Sequence, residues 1–225
     1  MKRTTKPETG AKRLVLFDMD GTLFEHENFW RELHKALGTW EEGKKATEEW
    51  LHKDYDTLVD IVIHNLWKGK PAKPFLDLVA NVKYLPGAKE TVGALRRRGY
   101  ELAVITSGPD ALLARAKIEL GIVHGVGNTL EVKDGVITGQ SRHDDGNTMW
   151  PVAADNKVPI AERLCEETGC AMKDAIAIGD GRNDVKLFKA VGTSIAFNDA
   201  PPELVEIATH RVEGNDLRAI LKLLP

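Results

Sequence analysis

Four polar clusters carry residue types able to do chemistry: Asp18-Met19-Asp20-Gly21-Thr22, Thr106-Ser107-Gly108, Lys157, and Gly179-Asp180-Gly181-Arg182-Asn183-Asp184. Each alone has an ordinary explanation: an aspartate as a helix N-cap, Thr-Ser-Gly as a turn, a lysine as a solvated charge. Jointly they describe something narrower. The carboxylates of Asp18, Asp20, Asp180 and Asp184 cannot sit close together unless a cation neutralises them. Their ligand atoms are all oxygen, so that cation is a hard one, with Mg2+ the default. Lys157 adds a positive charge, Thr106 a hydroxyl donor, and the backbone near Gly21, Thr22 and Gly108 further N–H groups. A cation, a lysine and N–H donors around a carboxylate are the parts of a phosphoryl-transfer site. In such a site Asp18, ionised at neutral pH, could attack phosphorus and form an aspartyl-phosphate. Asp20 could protonate the leaving alkoxide and then deprotonate water, a task that asks for a raised pKa.

For these clusters to meet, strands must carry them to one edge. The runs LVLF (14–17), ELAVIT (101–106), AIAIGD (175–180) and TSIAF (193–197) are short and apolar, and the first three lead into the polar clusters. Such runs fit strands buried on both faces. Helical patterns lie between them, at 88–99, 111–120 and 158–169, with Lys157 opening the last. The alternation predicts an α/β fold with a doubly wound parallel sheet, whose ligands bind beyond the carboxyl ends of the strands.

Two segments break the rhythm. Residues 128–139 alternate around Asp134-Gly135, a two-residue hairpin signal. Residues 26–84 contain no strand-like run and read as several helices, broken at Gly38, around Asp54 and at Gly69 to Pro71. The expected division is a flexible basic tail (1–13), an α/β core (14–25 and 85–225) and an inserted all-helical cap (26–84). Trp30, Trp40, Trp50 and Trp67 all lie in the insertion, where a small bundle needs large side chains; one or two of them would face a substrate pocket.

Composition narrows the partners. With 31 Lys+Arg against 34 Asp+Glu, the net charge of −3 argues against a general nucleic-acid binder. No apolar run approaches the ~18 residues of a membrane span, and the N-terminal residues have no apolar stretch behind their charges. Cys165 and Cys170 are too few for a disulfide scaffold and lack the partners of a zinc site, so reduced thiols in a cytoplasmic protein are expected. A small phosphorylated metabolite is the expected partner, bound by a monomer or a homodimer.

The set DMDGT, T-S-G, Lys157 and GDGRND, in this order, resembles the haloacid dehalogenase-like hydrolases over essentially 14–225, and within them the phosphoserine phosphatase branch. The resemblance implies a Rossmann-like core, a helical cap and a Mg2+-dependent phosphatase. It matches Asp18 to the nucleophile, Asp20 to the general acid and base, Thr106 and Lys157 to the groups holding the phosphoryl charge, and Asp180 to a metal ligand. Asp18 and Asp20 would join it on the metal. Asp184 matches a second acidic residue steadying the lysine or the metal's water. Ser107, Gly108 and Asn183 match positions near the phosphate, and Glu27 matches the glutamate that meets a substrate ammonium. The branch also uses a cap arginine for the substrate carboxylate, yet residues 55–67 hold no Arg or Lys. His64 is a candidate stand-in; otherwise the pocket would be more apolar, built from Trp30, Tyr55, Ile63 or Trp67. A phosphomutase, a phosphorylatable switch and a silent binding protein are the alternatives on the same residues.

Overall fold

The computed structural model describes residues 13–25, 28–153 and 156–224. Strand β1 (Leu14–Phe17) leads into α1 (Phe29–Ala36), α2 (Trp40–Trp50), α3 (Tyr55–Asp60), a π-helix (Ile61–Trp67) and α4 (Lys73–Asn81). The chain continues through α5 (Ala88–Arg97), β2 (Glu101–Pro109), α6 (Asp110–Leu120), β3 (His124–Asn128), β4 (Val132–Lys133) and β5 (Val136–Ile137). It ends with α7 (Lys157–Thr168), β6 (Ile176–Gly179), α8 (Val185–Ala190), β7 (Thr193–Phe197), α9 (Pro202–Ile207) and β8 (His210–Val212). The main sheet is parallel throughout, in the order β3-β2-β1-β6-β7-β8. From β1 the chain winds first to β2 and later to β6 on the opposite side, so the switch point lies beside the end of β1.

The strands read as unbroken apolar runs because both faces are covered. Val15 and Phe17 face a cluster with α5, α6 and the cap; Leu14 and Leu16 face a cluster with α7, α8 and α9. The first cluster runs without interruption from the sheet through Met19, Leu23 and Phe24 into Phe29, Leu33, Val62, Ile63 and Trp67 of the cap. The cap therefore rests on the sheet through shared apolar packing. Burying a side chain of this size is worth about 1.5–3 kcal/mol.

Two strand features differ from the sequence reading. β2 extends past Thr106 to Pro109, and β3 carries the sequence HGVGN, which has no apolar run. Its glycines answer to space. A Cβ on Gly125 would lie 2.9 Å from the Val104 carbonyl oxygen, and one on Gly127 would lie 3.1 Å from the Asp110 nitrogen. The hairpin forms as expected, with Asp134 and Gly135 at φ 50° and 78°. It does not join the main sheet. Gly69 N–H donates to Ile137 O at 2.8 Å, Ala72 N–H to Gly135 O at 2.9 Å, and Ile137 N–H to Lys70 O at 3.0 Å. By these bonds the hairpin, assigned to the core from sequence, is attached to the cap. Apart from Arg13, the basic tail lies outside the described residues.

The two chain crossings between core and cap run side by side. Glu25 N–H donates to Lys83 O at 3.0 Å, Leu85 N–H donates to Leu23 O at 2.9 Å, and the rings of Phe24 and Tyr84 stack at 4.4 Å. Both cysteines are free and buried, and burial pushes the Cys165 thiol up to about 11. Among the described residues no helix is long and apolar enough to cross a membrane.

The cap interior holds one polar knot. The His34 ring Nδ1 lies 2.8 Å from Thr39 Oγ1, and the buried Trp67 Nε1–H reaches both atoms, at 3.3 and 3.2 Å. Gly43 makes room, since a Cβ there would strike the imidazole. Burial depresses the His34 pKa to about 4, with Thr39 and Glu42 opposing. Unfolding would return it to about 6.5, so the unfolded chain binds more protons between these values. His34 therefore costs no stability above about pH 6.5 and an increasing amount as pH falls toward 4. Melting curves of the wild type and His34→Gln should converge on acidification from pH 7 to 4.5. Parallel curves would show that the ring does not titrate this way.

Candidate active site

β1 and β6 end side by side, and the loops that follow bring the acidic residues together. Asp18 N–H donates to Ile178 O at 2.9 Å, and Asp18 Oδ1 accepts from Met19 N–H at 2.8 Å. Lys157, at the first turn of α7 and 1% exposed, lies 3.0 Å from Asp18 and 2.7 Å from Asp184 Oδ1. Asp180 Oδ1 accepts the Thr22 hydroxyl at 2.7 Å. Gly21, at φ 75°, passes against the Asp180 carboxylate with no room for a Cβ. Any L side chain there would meet both backbone strain and a collision. Gly179 is likewise packed against Asp184.

The electrostatics follow from this crowding. Burial pushes the Asp18 carboxyl up to about 7 against the pull of Lys157, with Asp184 and Asp20 adding to the rise. Burial and then the Asp18 charge push Asp180 up to about 8, the Thr22 hydrogen bond opposing. Burial works to lower the Lys157 ammonium, but Asp18 and Asp184 overcome it and hold it above its ordinary value. One lysine thus faces more carboxylate than it can neutralise, and a further cation would lower the energy of the site.

Not every expected residue points to the same place. Asp184, read from sequence as a metal ligand, accepts from Lys157 Nζ at Oδ1 and from the Gly181 N–H at Oδ2, the latter at 3.3 Å. Asp20 Oδ2 accepts the Phe29 N–H at 2.9 Å, which ties the loop after β1 to the first residue of α1. Asn183 packs its side chain against Gly181. Among the described residues no three His, Cys, Asp or Glu side chains gather closely enough to enclose a metal by themselves. Glu27 lies outside the described residues.

On the β2 side, Thr106 is buried and its Oγ1 accepts the Gly108 N–H at 2.9 Å. A Cβ on Gly108 would lie 2.8 Å from Met19 Cε and 3.1 Å from both Asp20 Oδ1 and Thr106 Oγ1, so the two loops touch. Ser107 O accepts Trp30 Nε1–H at 2.6 Å and Asn128 Nδ2–H at 3.0 Å. Trp30 stacks on Trp150 at 4.5 Å, and Trp67, fully buried, packs beside both. Tyr55 Oη donates to Val152 O at 3.2 Å. Of the expected pocket aromatics, Trp67 and Tyr55 are thus held inside protein, while Trp30 reaches the Thr106 loop. Sequence reasoning missed Asn128 and Trp150. Asn128 was visible only as the residue that starts the hairpin segment.

A parallel sheet with a lysine-bridged aspartate at its switch point, a hydroxyl on the neighbouring strand end and a helical cap above defines a phosphoryl-transfer hydrolase. The chain belongs to the haloacid dehalogenase-like hydrolases, whose family model matches residues 15–189. It is 35% identical over 214 residues to the phosphoserine phosphatase of Methanocaldococcus jannaschii, covering 95% of this chain and 98% of that one. The phosphoserine phosphatase of Archaeoglobus fulgidus is 33% identical over 95% of this chain, which spans 60% of that longer protein. Among solved structures, a phospho-aspartyl intermediate analogue of phosphoserine phosphatase superposes with a TM-score of 0.79 at 33% identity, over 96% of this chain and 100% of that one. A substrate-bound phosphoserine phosphatase complex gives 0.78 at 32% identity, over 95% and 99%. The chain is a phosphoric monoester hydrolase of this family.

Proposed function

We propose that the chain hydrolyses a small phosphomonoester with Mg2+ as cofactor, Asp18 as nucleophile and Asp20 as general acid and then base. The observation that carries this is the buried Lys157 bridging Asp18 and Asp184 beside Asp180. Asp18 attacks phosphorus, the bond to the ester oxygen breaks, and Asp20 gives that oxygen its proton. Asp20 then takes a proton from water, which attacks phosphorus and frees Asp18. Lys157 faces the negative charge of the transferring group. Thr106 Oγ1 accepts from Gly108 N–H, so its own proton is available to a phosphoryl oxygen. Ser107, Gly108 and Asn183 are assigned to the same end of the substrate, and Glu27 to the leaving group.

The all-oxygen donors and surplus negative charge fit Mg2+, which Asp18, Asp20 and Asp180 would hold. When bound it would neutralise the carboxylates and draw charge from the phosphoryl oxygens. Asp184 acts on Lys157. Two free, buried thiols agree with a cytoplasmic setting.

Phosphoserine is the first substrate to test, because the relatives named for it align along nearly the whole chain. A second reading has its own observation. The π-helix buries Val62, Ile63 and Trp67, and residues 55–67 supply no Arg or Lys to meet a carboxylate. That favours an ester with a less charged alcohol. Phosphate release should be measured across phosphoserine, phosphothreonine, sugar phosphates, phosphoglycolate, nucleotides and an aryl phosphate. Activity should vanish on chelation and return with Mg2+. Preference for phosphoserine supports the first reading and preference for another ester the second; no release from any ester overturns the hydrolase mechanism.

A further inference from the structure

We propose that Trp30 and Asn128 are positioning residues that orient the Thr106 hydroxyl through the Ser107–Gly108 peptide. The inference rests on the phosphatase reading above. It begins with an irregularity in the sheet. β2 and β3 pair Ile105 with Val126 and next Pro109 with Asn128, so four residues of β2 advance against two of β3. Residues 106–108 leave the ladder, as strands do where they re-aim groups at a site. The Ser107 carbonyl finds two side-chain donors instead, Trp30 Nε1–H at 2.6 Å and Asn128 Nδ2–H at 3.0 Å.

A trans peptide is planar, with its C=O and N–H pointing in opposite directions. Fixing the Ser107 carbonyl therefore fixes the Gly108 N–H, which donates to Thr106 Oγ1 at 2.9 Å. An oxygen that accepts there must turn its own proton elsewhere, and the phosphatase reading supplies the phosphoryl group as its acceptor. The bonds form one relay: indole and amide N–H, peptide, threonine hydroxyl, phosphoryl oxygen. Each link polarises the next. Gly108 is packed against Met19, Asp20 and Thr106, so the peptide has little space to rotate.

The two donors belong to different bodies. Asn128 is fully buried in the core, with Oδ1 accepting Val152 N–H at 2.9 Å and Nδ2 also reaching Val152 O at 2.9 Å. Trp30 comes from α1 of the cap, and its ring is set by stacking on Trp150, two residues before Val152. Asn128 holds the peptide from β3, with its amide also donating to Tyr55 Oη of α3 at 3.3 Å, and Trp30 completes the relay when cap and core are together. Cap closure is thereby reported to the phosphate end of the site, independently of the alcohol being released.

Trp30→Phe keeps an aromatic ring on Trp150 and removes the N–H; Asn128→Leu keeps roughly the side-chain volume and removes the donor, where a buried Asp would protonate and donate to the same carbonyls. Steady-state kinetics on at least three esters that the wild type hydrolyses should be run in Mg2+, with orthovanadate as an inhibitor mimicking five-coordinate phosphorus. Removing a direct oxyanion donor costs about 10²–10³ in kcat, and a donor one peptide away should cost about tenfold. Trp30→Phe should lower kcat by about that factor for every ester, leave KM within about twofold, and weaken vanadate inhibition in proportion to kcat. Thermal melts should match the wild type. Asn128→Leu should give the same kinetic pattern at a lower melting temperature, because Val152 loses its partners at Asn128, and the double variant should lose less kcat than the product of the two, because both act on one carbonyl. Wild-type kcat and vanadate affinity in Trp30→Phe would overturn the proposal. So would a loss that changes with the alcohol and falls on KM, which would make Trp30 a leaving-group contact. A wild-type chain that releases no phosphate overturns the phosphatase reading as well; an active wild type beside an equally active Trp30→Phe overturns this inference alone.

Discussion

Asp18→Asn should abolish phosphate release while the protein melts at or above the wild-type temperature. The amide matches the carboxylate in size and keeps an oxygen for the Met19 N–H, so the loop after β1 has no reason to move. It cannot attack phosphorus, and losing a nucleophile costs at least ~10⁴ in kcat. Stability moves in the other direction for an electrostatic reason. Asp18 is buried beside the charges of Asp184 and Asp20, and removing one negative charge relieves that crowding. Lys157 keeps Asp184 at 2.7 Å as its counter-charge. Phosphate release and thermal unfolding measured on the same preparation decide the matter. Turnover above about 1% of wild type would exclude Asp18 as the nucleophile.

Lys157→Met should be the most damaging single change, because it harms both activity and fold. The methionine stem fills most of the space at the start of α7, but the ammonium between Asp18 and Asp184 is gone. Breaking a buried ion pair from one side costs about 3–5 kcal/mol, since the remaining charges stay buried without compensation. Transition-state charge on the phosphoryl group would lose one of its cations as well, a loss on the order of 10³ in kcat. A double variant separates the two effects. Adding Asp184→Asn removes one stranded carboxylate, so denaturant unfolding should show part of the lost stability returning while activity stays absent. Equal destabilisation of the single and double variants would mean that packing around the lysine stem, rather than charge, sets the cost.

The acidic residues of this site are legible in sequence because each follows a strand that is apolar on both faces. β1 and β6 have no solvent-facing side, so their runs stop abruptly where Asp18 and Asp180 begin. β3 escapes that logic: close approach of Gly125 and Gly127 to neighbouring backbone removes the side chains on which pattern recognition depends. The helices of the cap are legible from their periodicity, but the wider turn of the π-helix is not, since one extra residue leaves no compositional mark. The relay from Trp30 to Thr106 is illegible for another reason. Residues 30, 107, 128 and 150 are brought together only by the packing of cap on core, and no local spacing encodes it. The hairpin is similar: its turn is written in Asp134-Gly135, whereas its attachment to residues 69–72 is written nowhere nearby.

That attachment changes how the cap is able to move. The paired crossings at residues 23–25 and 83–85 form a single strap, about which the cap would turn if its apolar packing on the sheet parted. The hairpin adds another anchorage elsewhere on the same body, and its chain returns to the core through residues 138–152. Rotation about the strap must stretch or slacken that return segment, which contains the left-handed glycines Gly139 and Gly146. Any opening of the cap would therefore be limited by the length of that return segment, and shortening it between Arg142 and Thr148 should restrict the angle of opening without altering Asp18, Asp20, Thr106, Lys157 or Asp180.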